Sequence, residues 1–197
     1  CWTDASRGGK MKNVSKILEL MNAFGESSPQ EVEKVLLNEY FHEEIAEYYK
    51  EIGPVDLYIP GHGNDYFLPS LKSLKKYQNG YSFNQITNNR IEDWNMDWIV
   101  LADQGGDPFI FSKKNKNILY AIHGNGSWKP ENIFPNIECM VHCLLIIGKI
   151  VSENSENYMD NECNIKIEYI NIAKKKYLKV LENEDIVNNA LNLLEWK

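Results

Sequence analysis

Apolar positions recur along this chain with two periods, helical at both ends and alternating in the middle. Val14, Ile17, Leu18, Met21 and Phe24 fall at helical spacing and Gly25 closes the run, which predicts a short first helix. Ser28-Pro29-Gln30-Glu31 has the form of a capping box with proline at the first helical position, since the Ser oxygen and the Glu carboxylate can each take a free backbone N–H. A second helix is therefore expected through Val32, Val35, Leu36, Phe41, Ile45, Tyr48 and Ile52, ended by Gly53-Pro54. Val55 to Ile59 fits a short strand and Pro60 to Asp65 a loop. Pro69 opens a third helix through Leu71, Leu74 and Tyr77, which Asn79-Gly80 closes with a left-handed cap, and Tyr81 to Ile86 is expected to begin the sheet.

The centre of the chain predicts a meander. Trp98 to Ala102 is rich in strand formers, Asp103-Gln104-Gly105-Gly106-Asp107-Pro108 breaks it, and Phe109 to Phe111 resumes it as a hairpin. A second break at Lys113 to Asn117 precedes Ile118 to Ile122, and Gly124-Asn125-Gly126 turns Trp128 back toward the sheet. On period-two alternation Trp94, Met96 and Trp98 share the covered face of a strand, with Trp94 partly exposed at its start. Pro135 sets a further helix, and Ile137 to Val151 is apolar around most of its circumference, so that helix belongs at the centre. Ile165, Tyr169, Ile172, Ala173 and Leu178 define another helix, although Ile165, Ile167 and Tyr169 also alternate as a strand does; Ile186, Val187, Ala190, Leu191, Leu194 and Trp196 define the last. The fold class is α+β, a largely antiparallel sheet with helices packed around it and a C-terminal helical extension.

Composition narrows this further. At 197 residues, 43% hydrophobic and 12% aromatic, the chain can bury roughly 70% of its unfolded surface as one domain. Residues 1–10 lack periodicity and are read as a foreign or disordered arm ahead of a natural start at Met11. Residues 11–197 are read as a single domain, with a core over about 31–151 and an extension over 152–197. No apolar run reaches the ~20 residues of a membrane span, and four scattered cysteines do not form a disulfide framework, which suits a cytoplasmic protein with free thiols. Between Glu92 and Asp107 the charges are Glu92, Asp93, Asp97, Asp103 and Asp107 with no Lys or Arg, a block that disfavours nucleic acid and suits a basic protein partner.

Catalytic chemistry finds little support. Cys139, His142 and Cys143 sit at helical spacing, but zinc needs a fourth ligand and no paired-cysteine spacing is present, so core packing is the favoured reading. His62 with Asp65, and His123, are loop residues that a metal-dependent hydrolase would use, yet no nucleophile elbow, zincin motif or phosphate-cradling glycine loop accompanies them. No catalytic, cofactor or metal residue is assigned.

Leu68-Pro69, Leu74, Tyr77-x-Asn79-Gly80-Tyr81, the Trp98-Ile99-Val100-Leu101-Ala102-Asp103 strand, Gly106-Asp107-Pro108-Phe109 and the Tyr120 strand, in that order, resemble the SUKH superfamily, named partly for a fungal cell-wall synthesis regulator. The resemblance covers roughly residues 31–151. It implies an α+β fold and, for bacterial members, an immunity protein that binds and neutralises a cognate polymorphic toxin, often a nuclease, without a catalytic centre. An intracellular regulatory or scaffold module is the alternative, and the hydrolase a third. On the immunity reading the chain is a monomer or weak homodimer whose partner has a basic surface. Asp93, Asp97, Asp103 and Asp107 supply complementary charge, and Trp94, Tyr66, Tyr81 and Phe83 supply aromatic anchors.

Overall fold

Alternation in the middle of the chain resolves into a six-stranded sheet. The computed structural model describes residues 11–31 and 42–197. The arm over 1–10, and the part of the expected second helix over 32–41, lie outside the described residues. The strands are β1 (Leu57–Ile59), β2 (Tyr66–Leu68), β3 (Trp98–Gln104), β4 (Asp107–Ser112), β5 (Ile118–Tyr120) and β6 (Glu131–Phe134). They lie in chain order, each antiparallel to the next. Among the described residues the helices are α1 (Val14–Met21), α2 (Glu43–Glu51), α3 (Leu71–Tyr77), α4 (Ile137–Glu153), α5 (Ile167–Leu181) and α6 (Glu184–Leu193). The class is α+β, and none of these helices is long and apolar enough to cross a membrane.

Helix α4 occupies the centre, as its all-round apolarity predicts. Asn136 caps it by accepting from the Cys139 N–H at 2.8 Å, directly after Pro135. Ile99, Leu101, Phe109, Phe111, Ile118 and Phe134 from one sheet face share a core with Met140, Val141, Leu144, Ile147 and Ile150 of α4. A Cβ on Gly148 would stand 2.2 Å from the Ile59 methyl, so only glycine lets α4 lie this close to β1. Ala173, Tyr177, Val187, Ala190, Leu191 and Trp196 join that core, so the C-terminal helices complete the helical layer that buries this sheet face. The opposite face carries a smaller core of Tyr81, Trp94, Val100, Ile110, Leu119 and Ala121, covered by α3 and the long connection that follows it.

Three expectations need correction. Ser28 to Glu31 is extended: the Ser28 N–H donates to the Gly53 carbonyl, and the Gln30 side chain donates to Pro54 O while accepting from the Leu71 N–H, so tertiary partners replace the capping box. Tyr81 to Ile86 is a chain of turns in place of a strand, because the Asn84 side chain accepts from the N–H groups of Ile86 and Thr87 and competes with any ladder. Trp94 precedes β3 and is 4% exposed, whereas Met96 is 58% exposed, so these two do not share a strand face with Trp98. The sheet also holds β2 and β6, which three or four residues and weak alternation left unsignalled. Of the two readings of the Ile165 region, the helix is the one formed.

His142 lies within the α4 core, and neither ring nitrogen has a hydrogen-bond partner among the described residues. Burial, with Lys16 adding and Glu138 opposing, lowers its pKa to about 4. Beside it, burial raises both the Cys139 thiol, to about 12, and the Cys143 thiol, so these residues serve as packing. A base whose folded pKa is depressed leaves the unfolded chain binding more protons between the two values. Stability is therefore lost as pH falls from about 6.5 toward 4 and the loss is complete below that. His142→Leu is expected to remove roughly 1–3 kcal/mol of that loss. Urea unfolding of both proteins at pH 7 and pH 4.5 checks this, and parallel pH profiles would refute it.

Candidate binding site

A break in strand register sets the site. Ile99 pairs with Phe111 and Val100 with Ile110, but the next pair is Ala102 with Phe109, leaving Leu101 as a bulge. Leu101 and Ala102 consequently both join the helix-side core. Past the bulge the alternation is reversed, so Asp103 emerges on the other face, where continuous pairing would have sent it in among Ile99 and Leu101. There it pairs across β2 with Phe67, which pairs across β1 with Tyr58.

Helix α3 is held over this row by a side chain acting as a strand. β2 ends at Leu68, which leaves the outward backbone groups of Val100 without a strand partner. Gln78, fully buried, supplies one: its carbonyl accepts from the Val100 N–H and its amide donates to the Val100 carbonyl, both at 2.9 Å. That clamp fixes the end of α3, from which Tyr77 and Tyr81 project one turn apart.

The result is an open cleft of about 740 Å³ between the sheet, α3 and the His123–Trp128 turn. Its aromatic wall is a row of rings in contact: Tyr58 to Phe67 at 4.7 Å, Phe67 to Tyr77 at 5.2 Å, Tyr77 to Tyr81 at 6.0 Å and Tyr81 to Trp128 at 5.8 Å. Trp94, edge-on to Trp98 and Trp128 at 5.5 Å, backs the row from beneath. In this wall the Tyr81 hydroxyl donates to the Asp103 carboxylate at 2.7 Å. Burial first and the Asp103 charge second push the Tyr81 phenol well above its usual range, so it stays a donor; burial first, then the neighbouring Asp103 and Tyr81, raise Tyr77 as well. At the outer end, where Ser70 caps α3, Asp56 accepts from the Ser70 N–H and the Ser73 hydroxyl. Although partial burial pulls the other way, these bonds and Lys72 hold its carboxyl below the usual range. Lys76 and His123 complete the rim.

Of the residues singled out from sequence, Tyr81 and Asp103 line the cleft. Asp93 supports it by accepting from the Trp128 N–H at 2.8 Å. Asp107 lies beside it, accepting from the His123 N–H at 2.7 Å and facing the His123 ring at 2.6 Å. Asp97 is half-buried and its backbone carbonyl takes the Lys113 N–H, while Phe83 is half-buried beneath the Arg90 guanidinium at 5.6 Å; neither lines the cleft. Tyr66 is 0% exposed on the helix side, the opposite face to Phe67, and so is a core residue in this structure; Trp94 likewise is buried instead of partly exposed. Tyr58, Phe67 and Gln78 were not found from the sequence. Tyr58 and Phe67 do alternate with buried neighbours, the one signal available, but β2 is too short to announce itself.

The histidines weighed for hydrolysis are not gathered together. His62 stands edge-on to Tyr158 at 6.0 Å while His123 faces Asp107, and among the described residues no group of three or more His, Cys, Asp or Glu is placed to hold a metal. No family model, curated protein or solved structure matches this chain.

Gln78→Ala should leave both Val100 backbone groups buried and unpaired, costing about 2–4 kcal/mol. Denaturant unfolding reads the stability, and the indole N–H signals of Trp94 and Trp128 read the local loosening; a loss under 1 kcal/mol with unchanged indole signals would contradict the clamp.

Proposed function

We propose that this protein is a non-catalytic binding module of the immunity kind, which neutralises a cognate bacterial toxin by gripping a basic surface on it. One observation carries the reading: Asp103 is fixed by Tyr81 in an open cleft that has a row of aromatic rings along one wall. A carboxylate held in place beside ring faces is suited to binding, since aromatic side chains supply much of the energy of interface anchors at low entropic cost. Asp93 and Asp107, each tied to the turn that carries Trp128, add negative potential around the mouth. The order of motifs resembling the SUKH superfamily supports the same role. The free thiols of Cys139, Cys143 and Cys163 are in keeping with action in a reducing cytoplasm.

An inhibitor interface of ordinary size buries ~1,600 Å² in total, so the cleft serves as its centre and the surrounding turns as its rim. Charge on such a rim mainly accelerates encounter. Co-expression with the toxin encoded beside this gene is expected to restore growth of the host cell. In the purified pair the association rate should fall roughly tenfold between low and high salt, with a smaller change in dissociation. Failure to rescue growth, together with no complex with that neighbour, would overturn the proposal.

A further inference from the structure

We infer that the cleft receives an arginine side chain, carried on a loop of the protein partner. The inference rests on the binding role proposed above and names the chemistry of its anchor. Asp103 places a charge where a guanidinium can donate to it, and Tyr58, Phe67 and Trp128 offer ring faces on which a planar cation stacks. Arginine suits this combination better than lysine, whose compact ammonium cannot stack and donate as a plane. The chain makes the same kind of contact within itself, where Arg90 lies over Phe83. Acidic groups are concentrated here: Asp56 and Asp103 line the cleft, and Asp93 and Asp107 hold the turn at its edge. A volume near 740 Å³ exceeds one side chain, so flanking backbone of the partner loop enters with it. Two groups on the rim oppose a cation, Lys76 and, when protonated, His123; His123 is paired with Asp107 and Lys76 is exposed.

The test uses the full chain and needs no toxin. Arginine blocked at both ends, its neutral isostere citrulline blocked in the same way, and inorganic phosphate are titrated while the Trp128 indole N–H and the Gly80 and Gly106 amides are followed by NMR. Blocked arginine should shift these signals saturably, in the millimolar range expected of so small a ligand. Citrulline should bind at least tenfold more weakly. Asp103→Asn, which keeps an oxygen for the Tyr81 hydroxyl, should weaken arginine by about tenfold with an unchanged melting temperature, and Lys76→Gln should strengthen it. No saturable shift, equal binding of citrulline, or phosphate binding that Lys76→Gln abolishes would each overturn the inference. Growth rescue by the intact protein is read separately, so rescue without arginine binding removes this inference and leaves the proposed function standing.

Discussion

β3 lies between two cores, and its bulge at Leu101 lets one strand serve both. Ile99, Leu101 and Ala102 point to the helical layer, while Val100 and Asp103 point to the aromatic layer. Burying a carboxylate without partners costs several kcal/mol, so the phase in which Asp103 emerges is not a detail. With Leu101 set aside, the carboxylate reaches the Tyr81 hydroxyl and the edge of the cleft. The bulge also coincides with the stretch of β3 that β2 does not reach, and there the Gln78 carboxamide stands in for a strand.

From that clamp the rest of the smaller core follows. Gln78 fixes the end of α3, Tyr77 and Tyr81 extend from it, and the rings run on to Trp94, Trp98 and Trp128. Each aromatic pair of this kind is worth about 0.5–1.5 kcal/mol beyond its buried area, so the row is held mutually and not by any one contact. On the proposed binding role, rings held in this way would lose little further entropy when a partner is bound.

The acidic block looks in the sequence like a run of solvated charges, yet most of its members hold the fold. Asp93 secures Trp128, Asp103 takes the Tyr81 proton donor, and Asp107 gathers the His123 turn. The carboxylates proposed for recognition therefore also hold the structure together. Negative potential is fixed in direction because the backbone and ring partners leave each carboxylate little freedom.

Periodicity alone determined much of this protein: the α+β class, the β3–β4–β5 meander, the central helix α4 with its start after Pro135, and the terminal helices all follow from apolar spacing and local caps, which act within a few residues. Trp98 to Ala102 and Ile137 to Val151 carry strong enough patterns to stand without context. Ser28 to Glu31 shows where that reasoning stops, because a capping pattern yielded to hydrogen bonds donated to the Gly53 and Pro54 carbonyls and accepted from the Leu71 N–H. The strands β2 and β6, the bulge, the Gln78 clamp and the inward turn of Trp94 were decided by the tertiary structure. Each depends on a partner beyond the few residues over which periodicity and caps act, and a residue's own neighbours in sequence hold no information about which backbone it will complete. That is why Asp103 and Tyr81 could be named from the sequence as candidates, while the cleft that joins them to Phe67 and Tyr58 appeared only when the sheet was assembled.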